Sequence, residues 1–118
     1  MARIIILEDD EVFRETLERV LTDAGHSVKA AGNGFDGMAL FRAEPADLIL
    51  TDIVMPHGGL QTIRVLRTEF PSLAIIAMSG SHVRLDMAGG IGANKMLAKP
   101  FTSEQLLNAI AEVLQPKA

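Results

Sequence analysis

The sequence predicts an α/β fold with a five-stranded parallel sheet, on three grounds. Short apolar runs alternate with amphipathic segments five times along the 118 residues. The apolar runs are continuous, as in strands buried on both faces. No tight-hairpin signal joins any two of them, so each return passes through a helix that covers the sheet.

Each element can be justified in turn. Ile4-Ile5-Ile6-Leu7 reads as a first strand. Glu11 to Ala24 reads as a helix, with Phe13, Leu17, Val20, Leu21 and Ala24 on one side, stopped by Gly25. Ser27 to Ala31 is a second strand, followed by a less regular helix over Gly37 to Ala43 that Pro45 ends. Leu48-Ile49-Leu50 is the third strand, and Leu60, Ile63, Leu66 and Phe70 mark a helix closed by Pro71. Leu73 to Met78 is the fourth strand. His82 to Ile91 reads as a short helix weakened by Gly89-Gly90, and Met96 to Ala98 is the fifth strand. The last helix carries the clearest start signal. Thr102 and Gln105 have capping-box spacing, and Phe101 and Leu106 that of a hydrophobic staple. Its apolar stripe is Leu106, Leu107, Ile110, Val113 and Leu114.

Composition narrows the function. Net charge is −4, and the eleven Lys and Arg residues are dispersed, a poor footprint for nucleic acid. The chain has no Cys, which excludes disulfides and thiolate metal sites. No apolar run has the length of a signal peptide's core or a membrane span, so a cytoplasmic protein with no membrane partner is the expectation.

The chemistry collects at equivalent places. Glu8-Asp9-Asp10 follow the first strand, Asp52 the third, Ser79 the fourth and Lys99 the fifth. In an open parallel sheet these are the carboxyl ends of the strands, where ligands bind. Clustered carboxylates repel one another unless a cation sits among them, and Mg²⁺ takes oxygen ligands of this kind. A lysine adds a point charge for a phosphoryl group, and a small hydroxyl adds a donor. A carboxylate nucleophile, a metal, a lysine and a hydroxyl make a phosphoryl-transfer site.

Each residue also has a plainer reading. The acids from Glu8 to Glu11 suit a helix N-terminus. Asp52 alone could cap a loop, Ser79 could sit in a turn, and Lys99 could be solvated. His26, His57 and His82 lack metal-ligand spacing and read as surface or loop residues. Met38, Met55, Met78 and Met87 read as core or loop filling. Joint placement separates the sharp reading from these.

Four stretches together resemble the receiver domains of two-component response regulators: Ile5-Ile6-Leu7-Glu8-Asp9-Asp10, Asp47-Leu48-Ile49-Leu50-Thr51-Asp52-Ile53-Val54-Met55-Pro56, Ile75-Ile76-Ala77-Met78-Ser79-Gly80 and Leu97-Ala98-Lys99-Pro100-Phe101. The likeness covers essentially the whole chain as one domain, residues 1–118. It implies a doubly wound, flavodoxin-like (βα)5 sheet in the order 2-1-3-4-5. By this resemblance Asp52 is the phosphorylated residue. Asp9, Asp52 and the Val54 carbonyl bind Mg²⁺ directly, with Glu8 acting through water; Asp9-Asp10 is the other reading of the acidic pair. Ser79 bonds the phosphoryl group and switches, Gly80 leaves room for the donor, Lys99 pairs with the phosphoryl oxygens, and the Lys99–Pro100 bond is cis. The implied phosphodonor is a histidine kinase or histidine phosphotransfer protein, and the implied output face is helix 4, strand 5 and helix 5.

Three departures stand out. Met96 occupies the family's aromatic switch position. The loop Pro56-His57-Gly58-Gly59-Leu60 is about one residue short and lacks the usual Asp or Asn before Gly. The Ser79-to-Lys99 interval is also slightly short, which predicts a short or mobile helix 4. They keep open an adaptor that binds protein partners without phosphorylation. A phosphatase is disfavoured, because Val54 stands where such sites place a second Asp. A phosphoacceptor is not expected to be an enzyme beyond assisting its own phosphorylation and dephosphorylation.

Overall fold

The structure, a computed structural model, describes residues 1–115. Five strands alternate with five helices: β1 Arg3–Leu7, α1 Glu11–Asp23, β2 Ser27–Ala31, α2 Gly34–Ala43, β3 Leu48–Asp52, α3 Leu60–Glu69, β4 Ala74–Ser79, α4 His82–Gly90, β5 Lys95–Ala98 and α5 Ser103–Leu114. All strand pairings are parallel, and the sheet order is β2-β1-β3-β4-β5. The predicted class and order are those observed.

The continuous apolar runs have the reason inferred from them. Alternate residues of one strand feed two separate cores. Ile4, Ile6, Leu48, Leu50, Ile76 and Met78 pack with Leu17 and Leu21 of α1 and Leu106, Ala109 and Ile110 of α5. Ile5, Leu7, Ile49, Ile75 and Ala77 pack with Phe41 of α2, Ile63 and Leu66 of α3, and Leu85 and Ala88 of α4. Residues of period two thus fill both faces of the sheet. Full burial of each Ile, Leu, Met or Phe among them contributes about 1.5–3 kcal/mol.

The differences from the expected elements fall mostly at their ends. Helix α2 starts at Gly34, a turn earlier than Gly37. The Asn33 side chain caps it by accepting from the Asp36 N–H at 2.8 Å. The glycines there are a packing requirement. A Cβ on Gly37 would lie 1.8 Å from Leu7 Cδ2, so α2 approaches β1 more closely than alanine permits. Strands β3 and β4 run to Asp52 and Ser79, which therefore sit on the last rungs of the ladder instead of beyond it. Asp52 is in register with Met78, and Ser79 with Ala98. Helix α4 is short, nine residues, and is followed by Gly92 at φ +124°. Among the described residues, no helix is long and apolar enough to cross a membrane.

Helix α5 begins as its sequence signals. Thr102 accepts from the Gln105 N–H at 3.0 Å, and the Gln105 side chain accepts from the Thr102 N–H at 2.8 Å. Thr102→Ala removes half of this box, and a loss of about 1 kcal/mol is expected, read as a lower midpoint at unchanged slope in urea denaturation.

Candidate functional site

The parallel strands deliver their polar terminal residues to one edge of the sheet. Glu8 follows β1 directly, and its N–H donates to the Ala31 carbonyl at the end of β2 at 3.0 Å, extending the ladder by one residue. The Glu8 side chain is thereby carried inward and is only 1% exposed. Asp52 closes β3 and is 7% exposed, and Ser79 closes β4 and is 3% exposed. Lys99 follows β5, and its N–H donates to the Ser79 carbonyl at 2.9 Å. The Lys99–Pro100 peptide is cis.

The Lys99 ammonium lies between two carboxylates. It donates to Glu8 Oε1 at 2.8 Å and to Asp52 Oδ2 at 3.2 Å. It also lies 4.8 Å from the centroid of the Phe13 ring, a cation–π contact made by α1. The other Asp52 oxygen, Oδ1, accepts from the Val54 N–H at 3.1 Å. Asp9 is exposed, yet Glu8, Asp9 and Asp52 each bring a carboxylate oxygen within 4.8 Å of the others. Asp10, the alternative member of the acidic pair, caps α1 by accepting from the Phe13 N–H at 3.2 Å. The plain helix-start reading of the acidic run therefore holds for Asp10, while Glu8 and Asp9 join the cluster.

Burial pushes the Glu8 carboxyl above the ordinary glutamate value. Hydrogen bonds from Lys99 and the Asp10 N–H pull it back only in part, and the Asp52 charge adds to the rise. Burial lowers Lys99, but the hydrogen bond to Glu8 and the charges of Asp52 and Glu8 outweigh it, so its ammonium is held above the ordinary lysine value. The two directions are compatible because Glu8 is the more deeply desolvated partner, with its side chain 1% exposed against 26% for Lys99.

Ser79 Oγ accepts from the Ser81 N–H at 3.0 Å, which leaves its own O–H free to donate. A Cβ on Gly80 would meet nothing within 4 Å, so the approach over this position is open. Met96 lies on β5, 38% exposed, with its thioether over Gly89 of α4, where a Cβ would come 2.9 Å from Met96 Cε. Among the histidines, His57 and His82 are exposed and His26 is half-buried, its Nδ1 accepting from the Ala2 N–H at 3.3 Å. Three contributors were not singled out as site residues from the sequence. Phe13 reads there as a core residue of α1. Arg14 donates to the Glu8 carbonyl at 3.0 Å, and Thr51 Oγ1 donates to the Asp52 carbonyl at 2.8 Å. Thr51 carried a signal, a hydroxyl inside an apolar run; Arg14 carried none.

A five-stranded parallel sheet in this order, with polar side chains gathered at its carboxyl edge, defines the class of doubly wound α/β domains that bind ligands at that edge. Comparison with known proteins makes the class specific. Residues 4–111 match the family profile "Response regulator receiver domain", and the chain belongs to that family. It is 39% identical to Protein PilH of Pseudomonas aeruginosa, over 97% of this chain and 98% of that protein. It is 32% identical to Response regulator MprA of Mycolicibacterium vanbaalenii, over 96% of this chain and 50% of that one, so it spans about half the length of that relative. Among solved structures, the chemotaxis protein CheY4 of Vibrio cholerae superposes with a TM-score of 0.89 at 27% identity, covering 97% of this chain and 99% of that one. A putative response regulator from Chloroflexus aurantiacus superposes at 0.92 with 26% identity, covering 98% of each chain.

The raised Glu8 value has a consequence for stability. A folded-state value above the unfolded one favours the protonated carboxyl. Stability is then fully present below the unfolded value, about 4.3, and is lost as pH rises through the folded value. Without divalent cation, Glu8→Gln is expected to melt above the wild type at pH 8, with the gap closing on acidification toward pH ~4.3. Thermal melts across this range check it, and a gap independent of pH would contradict it.

Proposed function

We propose that this chain is the phosphoacceptor of a two-component phosphorelay, a single receiver domain over residues 1–118 in which Asp52 takes a phosphoryl group from a phosphohistidine in the presence of Mg²⁺. The donor is a histidine kinase or a histidine phosphotransfer protein. The observation that carries this reading is the Lys99 ammonium set between Glu8 and Asp52, with Asp9 beside them.

The donor set fits a hard divalent cation. One ammonium does not neutralise three carboxylates, and their oxygens lie close enough together to share one ion. In this reading Asp9, Asp52 and the Val54 carbonyl hold Mg²⁺ and Glu8 acts through water. When bound, Mg²⁺ neutralises charge on the phosphoryl oxygens. An Asp52 carboxylate oxygen attacks phosphorus, the P–N bond to the donor imidazole breaks, and its electron pair returns to the imidazole. Lys99 follows the charge that spreads over the phosphoryl oxygens. The unused Ser79 O–H donates to one of them.

The same hydroxyl offers a way out of the site. Ser79 Oγ accepts from the Ser81 N–H, and Ser81 in turn caps α4 by accepting from the Arg84 N–H at 3.3 Å. A Ser79 side chain drawn toward the phosphoryl group alters the footing of α4. That biases the face of α4, β5 and α5, where Val83, Met87 and Met96 stand exposed for a protein partner. The chain performs no turnover in this scheme apart from assisting the gain and loss of its own phosphoryl group.

Incubation with acetyl phosphate and Mg²⁺ is expected to add one phosphoryl group by intact-mass spectrometry, and the gain disappears in Asp52→Ala or with excess chelator. A wild-type protein that gains no mass, or an Asp52→Ala protein that still does, refutes the reading. Partner binding indifferent to both the donor and Asp52→Ala would favour the adaptor instead.

A further inference from the structure

The segment between Asp52 and α3 is anchored to the sheet by Ile53, which is buried and whose N–H donates to the Met78 carbonyl at 3.1 Å. At its start, the Val54 N–H is tied to Asp52 Oδ1. At its end, Gly59 lies at φ +76° and gives α3 no side-chain cap. Between them His57 adopts φ +50°, a left-handed conformation uncommon outside glycine, which the surroundings must hold in place.

The first turn of α2 supplies that hold. The Gly34 N–H donates to the Pro56 carbonyl at 3.2 Å. A Cβ on Gly34 would lie 1.6 Å from the His57 carbonyl oxygen, so loop backbone and helix backbone are in direct contact. Phe35 then stacks on the His57 ring, with centroids 4.3 Å apart and planes inclined by 16°. Phe35 is 69% exposed and His57 is exposed too, so the pair adds little to the core and serves the loop instead. Helix α2 is a firm base for it, being pressed onto Leu7 at Gly37.

We propose that the Phe35–His57 stack is a positioning latch that preorganises the β3–α3 loop for a divalent cation beside Asp52. This rests on the Mg²⁺ site of the proposed function, to which the loop supplies the Val54 carbonyl, and not on the transfer step itself. An unlatched loop has to be ordered when the cation binds, and that entropy is subtracted from affinity. Neither ring touches the reacting atoms, so both act through the loop.

Mg²⁺ titrations followed by backbone-amide NMR, without phosphodonor, test the latch. Phe35→Ala and His57→Ala are each expected to weaken Mg²⁺ binding by about 10-fold, the low end of what supporting residues contribute to metal sites. The double variant should be no worse than either single one, because the two rings form one contact. Phe35→Tyr, which keeps the ring, should bind as the wild type does. With acetyl phosphate, the Mg²⁺ concentration for half-maximal rate should rise while the saturating rate stays unchanged. Wild-type affinity in Phe35→Ala overturns the latch, as does a weakening matched by a lower metal-free melting temperature or not rescued by Phe35→Tyr. A wild type that binds Mg²⁺ but gains no phosphoryl group overturns the phosphoacceptor reading and leaves the latch standing.

Discussion

Lys99 places one ammonium against two carboxylates that are almost out of contact with water. Glu8 lies 91 positions away along the chain and Asp52 lies 47. A carboxylate as buried as Glu8 is strongly disfavoured without a cationic or hydrogen-bonding partner. The sheet edge therefore depends on the ends of β1, β3 and β5 arriving together. The Phe13 ring adds α1 to that convergence, and the Lys99 N–H adds β4 through the Ser79 carbonyl. Even so, one lysine leaves an excess of negative charge at the edge.

The two cores make such convergence possible. Because β1, β3 and β4 are buried on both faces, a slip of one residue in any of them would exchange every side chain between the α1–α5 core and the α2–α4 core. Register is thus tightly specified, and the polar residues at the strand ends inherit that precision. Asp52 and Ser79 are members of the last ladder rungs, held by the sheet itself.

Away from the strand ends the site's flanks are held by contacts with α2 and α4. On one side, the flexible Met96 thioether lies over Gly89 of α4. There too, Ser79 is linked through Ser81 to the start of α4. On the other side, the loop after Asp52 leans on α2 through Gly34, Phe35 and His57. Gly34 is the residue that lets the backbone of α2 meet the backbone of the loop.

Much of this was legible in the sequence by itself. Apolar periodicity, Gly25, Pro45 and the Thr102–Gln105 box are local signals, and they determined the ten elements to within a few residues, because burial pattern and caps act over a single turn or strand. The resemblance of four strand-end motifs pointed to Glu8, Asp9, Asp52, Ser79 and Lys99, and the fold brings them to one edge. Tertiary structure alone decided the rest. It assigned Asp10 to the α1 cap and buried Glu8 beneath Lys99, set Phe13 under the ammonium, and paired Phe35 with His57. Apart from the Asp10 cap, these contacts join residues distant in the chain, and no spacing encodes them. They arise only when helices settle onto a sheet whose register is already fixed.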